Sequence, residues 1–312
     1  MDNSGVVVRV DLGRVCGNAA AVAARTGVPV IGVVKANAYG LGGKRVARAL
    51  AGVPGVEGFY AFSLGEAVEY ELAGTGKPTL VLEPTPMGDV GEYVSRGVRP
   101  SVWTVEGAER MRRARPVLSV ETGMQRFAAA ADQVDAIIKA GDIKEAMTHA
   151  TRLEHVEQLQ RAVEGYPGLK LHAAGTALLN EPRAYLDATR PGVALYSNAL
   201  TVTAPLYQVR ESGSPAGYTG FMAPRHGLIL LGYQHGLRMG PCLVNGRRAR
   251  LLEVGMQTSF VEVEGSDKVG DPVTLISEDL PADVIAGEWR CGPHEVLLRL
   301  SAVGAITYVG GD

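Results

Sequence analysis

Between residue 28 and about residue 200, short apolar runs alternate with stretches whose apolar residues recur at helical spacing. VPVIGVVKAN (28–37) is rich in β-branched residues and is followed by GKRVARALAG. GFYAFS precedes LGEAVEYELAG, TLVLEP precedes GDVGEYVSRG, and RPSVW precedes VEGAERMRRA. VLSVETG leads into DQVDAIIKAG, EAMTHA into LEHVEQLQRAVEG, and LKLHAAG into EPRAYLDA, with GVALYS closing the series. Runs that are apolar on both faces fit strands buried in a parallel sheet. About eight such units in one continuous stretch predict an α/β fold, a (β/α)8 TIM-type barrel rather than an open doubly wound sheet.

Past Pro205 the pattern changes. LILLGYQHG, RRARLLEVG, TSFVEVEG, DPVTLIS and EVLLRLSAV read as short strands separated by Gly, Asn-Gly, Asp-Pro and Ser-Asp turns. They predict a mostly β C-terminal domain after the barrel. The expected division is residues 12–205 for the barrel and 206–312 for the β domain. The early run VVVRVDL, a strand at 5–11, is assigned to the β domain. The stretch 211–227 reads as a connection or exposed loop.

The 312 residues are 46% hydrophobic and 21% charged, enough apolar matter for a substantial core. A formal net charge of -2 gives no reason to expect nucleic acid or an acidic membrane surface as partner. Cys16, Cys242 and Cys291 are far apart and odd in number, and no CxxC or His/Cys cluster offers a metal site. The opening MDNSGVVVRVDLGRV lacks the basic-then-apolar order of a signal peptide, and no uncharged apolar run approaches the roughly 18 residues of a membrane helix. A soluble, cytoplasmic protein is the expectation.

The chemistry-bearing segment is VVKANAYGLG at 33–42. Lys35 ends an apolar strand, which places an amine at the mouth of a barrel. There, partial desolvation would ease its deprotonation and let it form a Schiff base with an aldehyde cofactor. KANAYG resembles the cofactor-lysine motif of alanine racemases. Six further segments resemble the same family in the same order: VRVDLGRVCGN, VETGMQRFA, MTHA, LHAAGTALL, TRPGVALYS and LLGYQHG. Weaker similarity runs through NGRRARLLEVGMQTSFVEV and GDPVTLIS, so the resemblance covers nearly the whole chain.

The resemblance implies a fold-type III amino-acid racemase in which Lys35 holds pyridoxal 5'-phosphate and later carries a proton. It implies that Tyr39, Thr176, Gly192 and Val193 meet the cofactor phosphate, and that Arg190 meets the pyridine nitrogen. A guanidinium only donates, so that nitrogen stays unprotonated, the ring is a weaker electron sink, and proton return is favoured over transamination. His149 would sit beside the ring and link Arg190 to the catalytic tyrosine. Arg126 would approach the cofactor's phenolic oxygen and the substrate carboxylate, with Met256 also on the substrate side. Racemisation needs proton carriers on both faces of one planar carbon, and Tyr233 would serve the face opposite Lys35. In the family this happens across a head-to-tail homodimer.

Several positions depart from the family pattern. Ser119 replaces a lysine beside Arg126, leaving a bound anion or Glu121 to orient that arginine. Gly175 stands for asparagine, Gln234 and His235 follow Tyr233 where Asp is usual, Gln257 replaces Asp, and His294 replaces Tyr. Racemisation of L-alanine to D-alanine, a precursor of peptidoglycan, is the first expectation. A racemase of larger or basic amino acids, or a cofactor-binding barrel with little activity, stays open. A decarboxylase is disfavoured by Arg190, although Cys291 keeps that reading in view.

Overall fold

The structure, a computed structural model, describes residues 5–83 and 89–311. Pro84 and Gly88, which bound two of the runs read above, lie outside the described residues. The chain forms two compact units. One comprises residues 16–38 and 42–195, and the other the residues up to Val15, 39–41 and those from Tyr196 on.

Strand β1 (Val7–Asp11) belongs to the second unit. In the first, β2 (Val30–Val33), β3 (Val56–Ala61), β4 (Thr79–Val81), β5 (Val98–Val102), β6 (Val117–Ser119), β7 (Glu145–Ala150) and β8 (Lys170–Ala174) form a seven-stranded parallel sheet in chain order. Phe59, Ala61, Val81, Leu118, Ala146 and Ala173 are buried, as double-faced burial of a parallel sheet requires. Helices Gly43–Ala51, Leu64–Glu69, Val90–Arg96, Val105–Met111, Val134–Gly141 and Leu153–Ala162 lie between the strands. Ser63, Asp89 and Thr104 start three of them by accepting the backbone N–H of Glu66, Gly91 and Gly107.

Residues 187–191 close the barrel. On one side the N–H groups of Asp187 and Arg190 donate to Leu171 and Ala174 at 2.9 and 2.7 Å. On the other, Ile31 and Val33 donate to Thr189 and Pro191 at 2.8 and 3.2 Å. The eighth position is therefore filled one segment earlier than expected. GVALYS is not a strand, because Pro191 and Gly192 end the extended stretch and Val193–Tyr196 coils into a 3-10 turn. The helix expected at EPRAYLDA shrinks to the 3-10 turn Pro182–Ala184.

The second unit holds β1, β9 (Leu200–Pro205), β10 (Gln208–Glu211), β11 (Arg225–Ile229), β12 (Pro241–Val244), β13 (Arg247–Val254), β14 (Ser259–Glu262), β15 (Pro272–Ile276) and β16 (Ile306–Val309). Their order is β10-β11-β14-β13-β12-β15-β9-β1-β16, antiparallel except for the β1–β16 pair. Asn245 and Gly246, at φ 52° and 80°, make the left-handed pair that a tight β12–β13 hairpin demands. EVLLRLSAV, read above as a strand, is helical: Pro293–Ser301 forms one helix and Ala282–Trp289 another. Its buried residues Val296, Leu297, Leu300 and Ser301 follow helical spacing, and Pro293 pre-sets the first turn. Among the described residues no helix is long and apolar enough to cross a membrane.

Candidate active site

After β2 the backbone carries Lys35, half-buried, and then turns left-handed. Ala36, Asn37, Ala38 and Tyr39 all have positive φ, between 52° and 58°. Each such non-glycine residue costs on the order of 1 kcal/mol, so the run persists only because its surroundings impose it. The Glu66 carboxylate accepts the N–H of Ala36 at 2.8 Å and of Phe62 at 2.7 Å. The Tyr70 hydroxyl accepts the Asn37 N–H at 2.8 Å, and Asn37 Oδ1 accepts the Gly43 N–H at 2.7 Å. Gly43 must lack a side chain, since a Cβ there would stand 2.7 Å from the Tyr70 ring. Burial pushes the Tyr70 phenol up to about 12, so it stays neutral and bonded to Glu66.

Lys35 is thus aimed by a strained turn, and its amine lies below the ordinary lysine range. Burial is the main cause, followed by the charge of Arg126; Glu66 opposes the shift and Arg190 adds to it.

Arg190, in the closing segment, is only 7% exposed and has no carboxylate partner among the described residues. Its guanidinium donates to the Thr148 carbonyl at 2.6 Å, to the His172 carbonyl at 2.9 Å, and to His172 Nδ1. Its Nε–H and its second Nη2–H make no hydrogen bond among the described residues, which leaves two donors of a buried cation for acceptors from outside. The Tyr60 ring lies 5.5 Å from the guanidinium carbon.

Behind Arg190 runs a chain that sequence reading missed. His172 Nε2–H donates to Glu145 at 2.7 Å, and Arg99 holds the other Glu145 oxygen at 2.7 Å. Burial alone would raise the Glu145 carboxyl, but the hydrogen bond and charge of His172, with Arg99, hold it at about 2. Burial and then the Arg190 charge push His172 down to about 4. Arginine can only donate and the carboxylate can only accept, so His172 is neutral with its proton on Nε2.

His149 presents an edge to solvent at the end of β7, yet the protein around it and then the charges of Arg190, Lys35 and Arg126 push it down to about 4. Its coupling to Arg190 is electrostatic; the hydrogen bonds of Arg190 go to His172 and Thr148 instead.

Ser119 is buried at the end of β6, and the exposed loop beyond it carries Arg126. Glu121 anchors this loop by its backbone. Burial would raise its carboxyl, but N–H groups of Gln125, Gly123, Arg126 and Met124 outweigh that and lower it. Glu121 therefore sets where Arg126 emerges without pairing with its guanidinium. After β8, Thr176 Oγ1 accepts the N–H of Gly192 at 3.3 Å and of Ala194 at 3.1 Å. The hydroxyl proton of Thr176 and the N–H of Val193 have no partner among the described residues.

In the other unit, Tyr39 stacks at a tilt against buried Tyr196, with ring centroids 5.0 Å apart. Tyr233 opens the 3-10 turn Tyr233–His235 and is 56% exposed. Its N–H donates to Gly255 at 2.9 Å and that of Gln234 to Met256 at 3.1 Å, so the Tyr233 and Met256 turns are brought together. Gly232 permits this approach, because a Cβ there would lie 2.2 Å from the Gly255 carbonyl oxygen. Gln234 bonds His235 at 3.1 Å, and Gln257 reaches Gln234 at 3.5 Å. His294 is exposed in the first turn of Pro293–Ser301.

A family model described as the alanine racemase N-terminal domain matches residues 10–199. The chain belongs to the alanine racemase family. Over the longer span, the biosynthetic alanine racemase of Escherichia coli K12 is 28% identical, covering 90% of this chain and 92% of that protein. The biosynthetic alanine racemase of Pseudomonas aeruginosa superposes with a TM-score of 0.84 at 25% identity, covering 98% of this chain and 99% of that one. An alanine racemase of Bartonella henselae, described as carrying covalently bound pyridoxal phosphate, superposes at 0.87 and 22% identity over 98% of this chain and 100% of that one. Within this family fold, Glu66, Tyr70, Glu145 and His172 are the supporting residues that motif reading passed over. His172 was inside a quoted motif, but only the folded chain shows what it touches.

Proposed function

We propose that this chain is a pyridoxal-phosphate-dependent racemase that interconverts L- and D-alanine. The observation that carries the reading is the pairing of two features at one end of the barrel. Lys35 is an amine with lowered proton affinity on an imposed turn, and Arg190 is a buried cation with spare N–H groups and no acid partner among the described residues. The donor set fits the cofactor: an amine for its aldehyde, a guanidinium for its ring nitrogen, and a hydroxyl with backbone N–H groups for its phosphate. Bound there, pyridoxal phosphate would acidify the α-hydrogen of an amino acid by drawing electron density into its ring.

Lys35 holds and then moves a proton at the α-carbon, helped by an amine that releases its own proton readily. Arg190 donates without surrendering a proton, which limits electron withdrawal and favours return of the proton to the same carbon. His149, neutral at physiological pH, adds no further positive charge beside Arg190. Arg126 offers a fork of donors for the substrate carboxylate. Tyr39, Thr176, Gly192 and Val193 receive the phosphate, and Met256 lies on the substrate side. We assign Tyr233 as the second proton carrier, supplied from a partner subunit in a head-to-tail homodimer in the cytoplasm.

The test is a chiral assay of the purified protein with pyridoxal phosphate and common L-amino acids, alanine first. Loss of optical purity in alanine is expected, with a borohydride-trapped mass adduct on Lys35. Tyr233→Phe should keep the adduct and lose exchange of the α-proton of L-alanine. Lys35→Ala and Tyr233→Phe proteins should each be inactive, and mixing them under subunit exchange should restore activity in hybrids with one intact site. Failure of the mixture to recover activity would remove the shared-site assignment. Full racemisation by Tyr233→Phe would remove the role of Tyr233.

A further inference from the structure

A second pocket lies at the opposite end of the barrel strands from Lys35. Its wall is made by residues at or before the starts of β4 to β8, and its volume is about 890 Å3. This is the size of a cavity that takes a whole small molecule. Six cations line it: Arg99, Arg112, Arg113, Arg115, Lys144 and Lys170. Two carboxylates oppose them. Asp142 is paired with Lys144 at 2.7 Å, and Glu145 is taken by Arg99 and His172. Arg113, Arg115 and Lys170 have no carboxylate partner among the described residues. Positive charge gathered in excess in a concave site raises the local concentration of anions, and arginine forks match flat or tetrahedral oxyanions.

The pocket also has a wire leading out of it. Arg99 and Glu145 stand in its wall, Glu145 bonds His172, and His172 bonds Arg190 at the other end of the barrel. An anion in the pocket competes with Glu145 for Arg99. Drawing Arg99 away leaves Glu145 with one cationic neighbour fewer, which strengthens its pull on the His172 proton and makes Nδ1 a better acceptor for Arg190.

We propose that this pocket binds a multivalent oxyanion carrying phosphate or carboxylate groups, and that Arg99 transmits its occupancy through Glu145 and His172 to Arg190. The transmitted part rests on the reading that Arg190 faces the cofactor; the binding part does not.

The experiment uses the holoprotein, so that the cofactor already fills its own phosphate site. Inorganic tripolyphosphate, ATP and citrate are titrated by calorimetry at physiological ionic strength while the absorbance of the bound cofactor is followed. Saturable binding of tripolyphosphate or ATP identifies phosphate as the recognised group, and binding of citrate alone identifies carboxylate. The Arg113→Glu, Lys170→Glu double variant changes exposed residues and should weaken binding roughly tenfold or more. A control with the same charge change outside the pocket, Arg25→Glu with Arg183→Glu, should bind as wild type. Equal weakening in both variants, or no binding by the wild type, overturns the site. In Glu145→Gln, binding should persist while the absorbance change is lost. Binding to the wild type with unchanged absorbance overturns the link to Arg190 and leaves the racemase reading intact.

Discussion

The neutral His172 makes the barrel acid-sensitive in a defined window. In the folded chain its imidazole titrates at about 4, against 6.5 for an ordinary histidine. The folded value lies below the unfolded one, so the unfolded chain binds more protons between them and stability falls as pH falls through that range. Going from about pH 7.5 to about pH 5 should therefore cost roughly 2 kcal/mol through His172 alone. Glu145, held at about 2 against 4.5, contributes stability that is present above 4.5 and is lost only in stronger acid, so it does not blur the window. The chain has two tryptophans, and Trp103 is in the barrel unit while Trp289 is in the other. In a Trp289→Phe background, Trp103 fluorescence then follows urea unfolding of the barrel. His172→Gln lowers stability at every pH, so the readout is the change between the two pH values and not the absolute value. The parent should lose roughly 2 kcal/mol more than the variant over this interval. Equal losses would refute the neutral-histidine assignment.

Three further outcomes follow from geometry. Gly232→Ala sets a Cβ against two backbone carbonyls, so either the Tyr233 turn moves or the unit loses stability; a cost of about 2 kcal/mol in thermal unfolding, or a large fall in kcat with cofactor retained, is expected. Glu66→Gln keeps one acceptor where the carboxylate used two and loses the charge near Lys35; it should destabilise by roughly 1–3 kcal/mol and loosen cofactor retention, read by absorbance after dialysis. Glu121→Ala frees the loop that carries Arg126; KM for alanine should rise severalfold, kcat should change less, and the Lys35 adduct should form normally.

The strands and most helices of the barrel were legible because parallel strands buried on both faces leave continuous apolar runs, as in VPVIGVV. EVLLRLSAV misled because its Val and Leu content suits either a strand or a helix buried on one side, and only Pro293 ahead of it favoured the helix. The last barrel strand was displaced because its role rests on backbone bonds at 187–191, which no side-chain pattern marks. Lys35 and Arg190 stood out through local motifs. Their supports did not, since Arg99, Glu145, His172 and Arg190 are spread along the sequence and meet only after the sheet has curled. The left-handed course of residues 36–39 was equally hidden: alanine twice in such a run contradicts local preference, and Glu66 and Tyr70 enforce it from elsewhere.

The segment that seals the barrel is also the one that carries Arg190. Until residues 187–191 have joined β8 to β2, the guanidinium has no fixed place, while Lys35 has long since left the ribosome. Closure of the barrel and the placement of Arg190 are therefore completed by the same stitch, in a late-synthesised part of the barrel. Under the proposed assignment of Arg190 to the cofactor ring, a chain still open along that seam would lack that grip, so retention of the vitamin would report on closure.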